Sequence, residues 1–87
     1  MAEVQIYRTS YCPYCDMAKR LFQELGVAFE EIDVTHDDDA RAELIKRTGG
    51  RRTVPQIFIN GEAVGGYSDV RALQTQGKLT EMLAASK

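Results

Sequence analysis

Polar and apolar positions alternate through "EVQIY" (Glu3 to Tyr7), a stretch rich in β-formers, and predict a first strand. From Pro13 onward the period changes. Met17, Ala18, Leu21, Phe22 and Leu25 recur at helical spacing, and Gly26 supplies a left-handed stop. "VAFEEIDV" alternates again and turns Val27 and Phe29, with Ile32 and Val34, toward a core. "THDDDARAELIKRTGG" opens on the capping candidates Thr35 and Asp37. It carries acids in its first turn, sets Ala40, Leu44 and Ile45 on one face, and ends in Lys46, Arg47 and Gly49, which predicts a second helix. "TVPQIFINGEAVGG" holds a strand at Gln56 to Ile59, an Asn60-Gly61 pair suited to a type I′ turn, and a short return strand. "SDVRALQTQGKLTEMLAAS" reads as helical, with Gly77 dividing a short helix from a terminal one.

The order is βαβα, a β-hairpin, then α. A strand–helix–strand start implies a parallel pair joined by a right-handed crossover, and the hairpin adds antiparallel strands. The expected architecture is an α/β fold in which a four-stranded mixed sheet is flanked by helices on both faces. The 87 residues suffice for one domain spanning 1–87, with no repeat, linker or low-complexity segment.

Composition narrows the function classes. Hydrophobic residues at 44% and charged residues at 28% are ordinary for a folded chain. A net charge of −2 gives no nucleic-acid footprint. The apolar runs fall far short of the roughly 20 residues that span a bilayer. "MAEVQIYRTS" has no apolar signal core, so a cytoplasmic or already processed chain is expected.

The only two cysteines stand in "CPYC", residues 12–15, between the first strand and the first helix. Pro13 fits the first helical position, where its missing N–H costs nothing, and this puts Cys12 at the N-cap. A sulfur there can accept hydrogen bonds from the free N–H groups of Tyr14 and Cys15, and it sits at the positive end of the helix dipole. Both effects favour thiolate over thiol. Cys15, one turn in, lacks those donors and is expected to remain a thiol within bonding reach. Cys12 is then the attacking group and Cys15 the resolving one.

Other readings of the pair fare worse. Zinc needs two more ligands, and the chain offers only His36, in a polar loop. No metal site is expected. A disulfide across so small a loop stabilises little. Strand–CxxC–helix is the redox context.

With "TVPQIFINGEAVGG" at 53–66 and "SDV" at 68–70, "CPYC" resembles the dithiol glutaredoxins over almost the whole chain. Thioredoxins share that family's fold but carry a different motif, with a tryptophan that this chain lacks. The resemblance implies a thioredoxin fold and a cis Val54–Pro55 bond facing the thiols. It implies that the extended Val54, with Thr53 and Pro55, meets the backbone of glutathione like an added strand. "GGYSD" precedes a helix with Ser68 as its cap, and the resemblance further implies that this segment, Gly66 included, holds the γ-glutamyl end, with Tyr67 and Ser68 contributing backbone groups. Asp69 would meet the ammonium of glutathione, and Tyr14 would flank the sulfur. Without the family, the same residues read as a strand start, a glycine-rich turn with capping, and an exposed turn tyrosine.

Two positions depart from the common pattern. Tyr67 stands where many members have cysteine. Thr9 stands where many have a lysine associated with the thiolate and the glycyl carboxylate. Arg8, Arg51 and Arg52 are the substitute cations, with solvated surface charge as the ordinary reading of each.

The expected function is a glutathione-dependent thiol–disulfide oxidoreductase acting on protein–glutathione mixed disulfides and protein disulfides. No cofactor is bound permanently; glutathione is a co-substrate, and glutathione reductase serves indirectly. A monomer is expected. The rivals are a redoxin reduced directly by thioredoxin reductase and a dimer holding an iron–sulfur cluster through Cys12 and glutathione. The glycine-rich segment argues against the first, and Pro13 against the second.

Overall fold

In the structure, a computed structural model that describes residues 3–51 and 53–84, eight elements follow the expected order. They are β1 (Val4–Arg8), α1 (Pro13–Glu24), β2 (Glu30–Asp33), α2 (Asp38–Arg47), β3 (Gln56–Ile59), β4 (Glu62–Gly65), α3 (Tyr67–Thr75) and α4 (Lys78–Ala84). The four strands lie in the order β2-β1-β3-β4. β1 and β2 are parallel, while β1–β3 and β3–β4 are antiparallel. This is the mixed sheet of the thioredoxin fold.

Side chains two apart share a face of a strand, so β1 and β3 feed two cores. Val4 and Ile6 with Ile57 and Ile59 meet Ala18, Leu21 and Phe22 of α1, Val70 of α3 and Leu79 of α4. Tyr7 and Phe58 point to the other face, where they pack with Val34 and Leu44 of α2. Helices therefore cover both faces, as the pattern requires. Arg47 closes the second core. Its guanidinium lies 3.9 Å from the Phe58 ring centroid and donates to Tyr7 Oη at 2.7 Å.

Turn chemistry follows the sequence closely. Asn60 and Gly61 both take positive φ, at 55° and 82°, as a type I′ hairpin demands. Gly26 and Gly77 end α1 and α3 with φ of 71° and 77°. Asp37 caps α2 by accepting the Ala40 N–H at 3.0 Å. Thr35, the other capping candidate, instead accepts the Ser10 N–H at 2.9 Å and so ties the loop before Cys12 to the end of β2. Met17 and Leu25, expected on the buried stripe of α1, are exposed. Cys15 takes a place on that stripe. Among the described residues no helix is long and apolar enough to cross a membrane.

Candidate active site

Cys12 is the N-cap of α1, with an extended backbone, and Pro13 begins the helix. Its sulfur accepts the Cys15 N–H at 3.3 Å. Of the two donors expected, Cys15 supplies this bond. The Cys12 thiol in turn lies 3.5 Å from the Val54 carbonyl oxygen, to which it can donate. The Val54–Pro55 peptide is cis, as the family resemblance implied. Cys12 is half-buried, whereas Cys15 is fully enclosed.

Enclosure sets the chemistry of Cys15. Burial, reinforced by the hydrogen bond with Cys12, pushes its thiol up to about 12. The backbone of Thr9 and the charge of Arg8 act in the opposite direction but do not prevail. Cys15 is thus a thiol at neutral pH, in agreement with the expectation.

A groove of about 280 Å³ opens beside Val54, the residue whose carbonyl faces the Cys12 sulfur. Tyr14, Thr53, Val54, Pro55, Gly66, Tyr67 and Ser68 line it. These are seven of the eight expected glutathione contacts, drawn from three segments far apart in sequence. The start of α1 forms one wall, the cis-proline turn the floor, and the start of α3 the other wall. The Tyr14 and Tyr67 rings stand 6.3 Å apart between centroids across the helix starts. Two helix N-termini, each with unsatisfied N–H groups, therefore border one cavity.

The start of α3 departs from the expected capping. Gly66, not Ser68, is the N-cap. Ser68 falls inside the first turn and is exposed, since the helix begins two residues earlier. Asp69 makes the early start workable: its Oδ2 accepts the Gly66 N–H at 3.0 Å, as the third residue of a capping box does. Gly65 is required beside it. Its φ is 121°, and an added β-carbon would overlap Asp69 Oδ2 and stand 2.8 Å from Cγ. Neither Gly65 nor its contact with Asp69 was singled out from the sequence. The paired "GG" before a helix was the available signal.

The candidate cations behave differently from one another. Arg8 is not a solvated surface charge: its side chain is only 16% exposed and is held by Glu31 at 2.8 Å and Asp16 at 3.5 Å. Arg51 sits above Asp69, with Nη1 3.9 Å from Oδ2, and both groups are well exposed. Arg52 lies outside the described residues. Thr9 is fully buried and so takes no part in the groove. Among the described residues no cluster of three or more His, Cys, Asp or Glu side chains is arranged to hold a metal.

The sequence profile of the Glutaredoxin family matches residues 4–64, which contain both cysteines and the cis-proline turn. The chain belongs to the glutaredoxin family. It is 46% identical over 83 residues to Glutaredoxin 3 of Escherichia coli, a match covering 95% of this chain and 99% of that one. The solution structure of a glutaredoxin from Brucella melitensis superposes with a TM-score of 0.86 at 45% identity, covering 100% of this chain and 94% of that one. The crystal structure of a buckwheat glutaredoxin–glutathione complex superposes with a TM-score of 0.83 at 36% identity, covering 92% and 74%. Family membership and the paired thiols together make this protein a thiol–disulfide oxidoreductase. The family profile ends before Gly66, so the second wall of the groove is placed by geometry.

Proposed function

We propose that the protein reduces protein–glutathione mixed disulfides, and protein disulfides, with glutathione as electron donor. The observation that carries this is the groove itself. It runs from Val54, whose carbonyl lies 3.5 Å from the Cys12 sulfur, to the start of α3, and is lined by residues that the family pattern assigns to glutathione. The extended Val54 offers backbone groups to the cysteinyl residue of the tripeptide. The Tyr67 and Ser68 N–H groups suit its γ-glutamyl carboxylate, and Asp69 is the counter-charge for its ammonium. Tyr14 and Tyr67 cover the sulfur and the γ-glutamyl stem.

In the monothiol route, the Cys12 thiolate attacks the glutathionyl sulfur of the substrate. The mixed disulfide breaks, the client leaves as a thiolate and takes up a proton, and glutathione stays on Cys12. The thiolate of a free glutathione then attacks that glutathionyl sulfur, releasing glutathione disulfide and restoring Cys12. In the dithiol route, Cys12 opens a client disulfide and remains bonded to one client sulfur. Cys15 must then lose its proton and attack Cys12, which expels the second client thiol and leaves Cys12–Cys15 oxidised. Two glutathione molecules reduce that bond. A soluble, cytoplasmic monomer that depends on glutathione reductase for recycling is the setting that fits this chemistry.

The test is reduction of a glutathionylated peptide by glutathione and glutathione reductase, comparing wild type, Cys12→Ser and Cys15→Ser. Cys12→Ser should abolish turnover, and Cys15→Ser should keep most of it while losing reduction of protein disulfides. No turnover by the wild type with glutathione would sink this reading and favour direct reduction by a flavoprotein.

A further inference from the structure

A second groove, about 210 Å³, adjoins the first. Met17, Arg20, Leu21 and Glu24 of α1 line it on one side, and Tyr67 and Arg71 of α3 on the other. Tyr67 lines both cavities, so the second begins where the first ends. None of its remaining residues belongs to the glutathione set. We propose that this α1–α3 groove receives an acidic segment of the client polypeptide, a few residues along from the half-cystine that donates its sulfur to the reaction. The proposal rests on the glutathione-dependent reading above and extends it from the co-substrate to the client.

Charge selects the class of partner. Arg20 and Arg71 come from different helices, and neither forms an ion pair among the described residues. Arg8, Lys19 and Arg51 are each already engaged by a carboxylate. Two arginines and one glutamate leave the groove lining at +1 in a chain of net charge −2. Glu24 opposes an acidic ligand, but it is the last residue of α1 and lies farthest along the helix from Cys12. Apolar surface supplies the rest. Leu21 forms a buried floor, and Met17 is 43% exposed, next to Tyr14 at 59%. Arginine guanidiniums over an apolar floor suit carboxylate side chains, which they can bind in a bidentate way.

Distance sets the register. An α-helix rises about 1.5 Å per residue, so Met17 and Arg20 lie roughly 7 and 12 Å beyond Cys12 along the axis. An extended chain advances about 3.3 Å per residue. A carboxylate two to four residues from the reacting cysteine therefore falls between the levels of Met17 and Arg20 while its cysteine sits over Cys12, in the groove that Arg71 lines from the α3 side.

The experiment uses three glutathionylated peptides that carry Glu, Gln or Lys two to four residues from the modified cysteine, on either side. Turnover is coupled to glutathione reductase at low and high salt, with the small mixed disulfide of glutathione and 2-mercaptoethanol as reference. Wild type should prefer the Glu peptide over the Lys peptide, with the difference in KM and shrinking at high salt. Arg20→Ala and Arg71→Ala should each raise KM for the Glu peptide about two- to fivefold, the scale of an exposed ion pair. Turnover of the small disulfide should be unchanged. Arg20→Lys and Arg71→Lys should retain the preference, and Glu24→Gln should sharpen it. Equal kcat/KM for the Glu and Lys peptides in wild type overturns the proposal, as does a preference that survives in the double alanine variant. In either case normal turnover of the small disulfide leaves the glutathione reading standing. Failure with the small disulfide itself removes both.

Discussion

Asp69 Oδ2 accepts the Gly66 N–H at 3.0 Å, and so the carboxylate that caps α3 stands beside Gly66, which lines the proposed glutathione groove. Cap and charge separate by mutation. Asp69→Asn keeps an acceptor for the Gly66 N–H but loses the charge, whereas Asp69→Ala loses both. The alanine variant should be destabilised by about 1 kcal/mol, the usual scale of a lost cap, and the asparagine variant by only a few tenths. Both should raise the KM for glutathione, because the ammonium loses its counter-charge in either case. Thermal unfolding and glutathione titration of the coupled assay check the two arms. A glutathione KM that follows stability rather than charge would leave Asp69 as a cap alone.

Gly65 makes that geometry possible. At φ of 121° an alanine is strained, and its β-carbon would displace the Asp69 carboxylate and approach Arg51 Nη1 at 3.0 Å. Gly65→Ala should therefore cost about 1–3 kcal/mol. It should also weaken glutathione at least as much as Asp69→Asn does, since it moves the carboxylate and the turn together. Gly77→Ala is the control. Its φ is 77°, but nothing lies within 4 Å of the added carbon, so it should lower stability without altering the glutathione KM.

The contrast between these glycines shows what the sequence makes legible. Local rules carried the framework. The alternation of Val4 and Ile6 with Tyr7, the helical run from Pro13, and Asn60-Gly61 each state a backbone preference, and each is met. The spacing of Cys12 and Cys15 carried the chemistry, because a helix start fixes the environment of the first thiol and keeps the second within bonding reach. Contacts between distant segments were not legible from physics alone. Cys15 is enclosed where it feels the Thr9 backbone and the Arg8 charge at the end of β1, and Arg8 is drawn from solvent by Glu31 on the neighbouring parallel strand, 23 residues away. Ser68 looked like a cap because serine caps well. Asp69 reaching back to Gly66 started the helix earlier. Met17 and Leu25 match the helical period, yet no other element covers them and they stay exposed.

Glu31 joins β2 to β1 and α1. Its Oε1 lies 2.8 Å from Arg8 Nη1 and 3.0 Å from Lys19 Nζ, and these cations, Arg8 first, hold its carboxyl below the ordinary value of about 4.3. A depressed carboxyl contributes stability that is present above the unfolded value and is lost as pH falls through the folded one. Glu31→Gln should therefore destabilise at pH 7, on the scale of about 0.2–1 kcal/mol given its exposure, and this loss should fade in acid, once the folded carboxyl is protonated as well. Denaturant unfolding at neutral and acid pH checks the sign. A difference that grows on acidification would mean that the cluster is held together by packing of the Arg8 stem rather than by charge.

Cys15 gives the opposite pH dependence. Burial and the bond to Cys12 raise its thiol to about 12, against about 8.5 for a free one. Between those values the unfolded chain has lost the proton and the folded chain has kept it. The stability due to the buried neutral thiol is thus fully present below pH 8.5 and declines as pH climbs toward 12, by at most about 1.4 kcal/mol per pH unit. Tyrosines and lysines titrate in the same range, so the measurement is the difference between wild type and Cys15→Ala, both with Cys12→Ser, from pH 8 to 10.5. That difference should shrink with rising pH. Mass-resolved alkylation of the native wild type at pH 7.5 reads the same property directly: iodoacetamide should label Cys12 within minutes and leave Cys15 unmodified until the protein is unfolded. Equal labelling of both thiols would show that Cys15 is neither enclosed nor held protonated, and the resolving step would then need no proton acceptor at all.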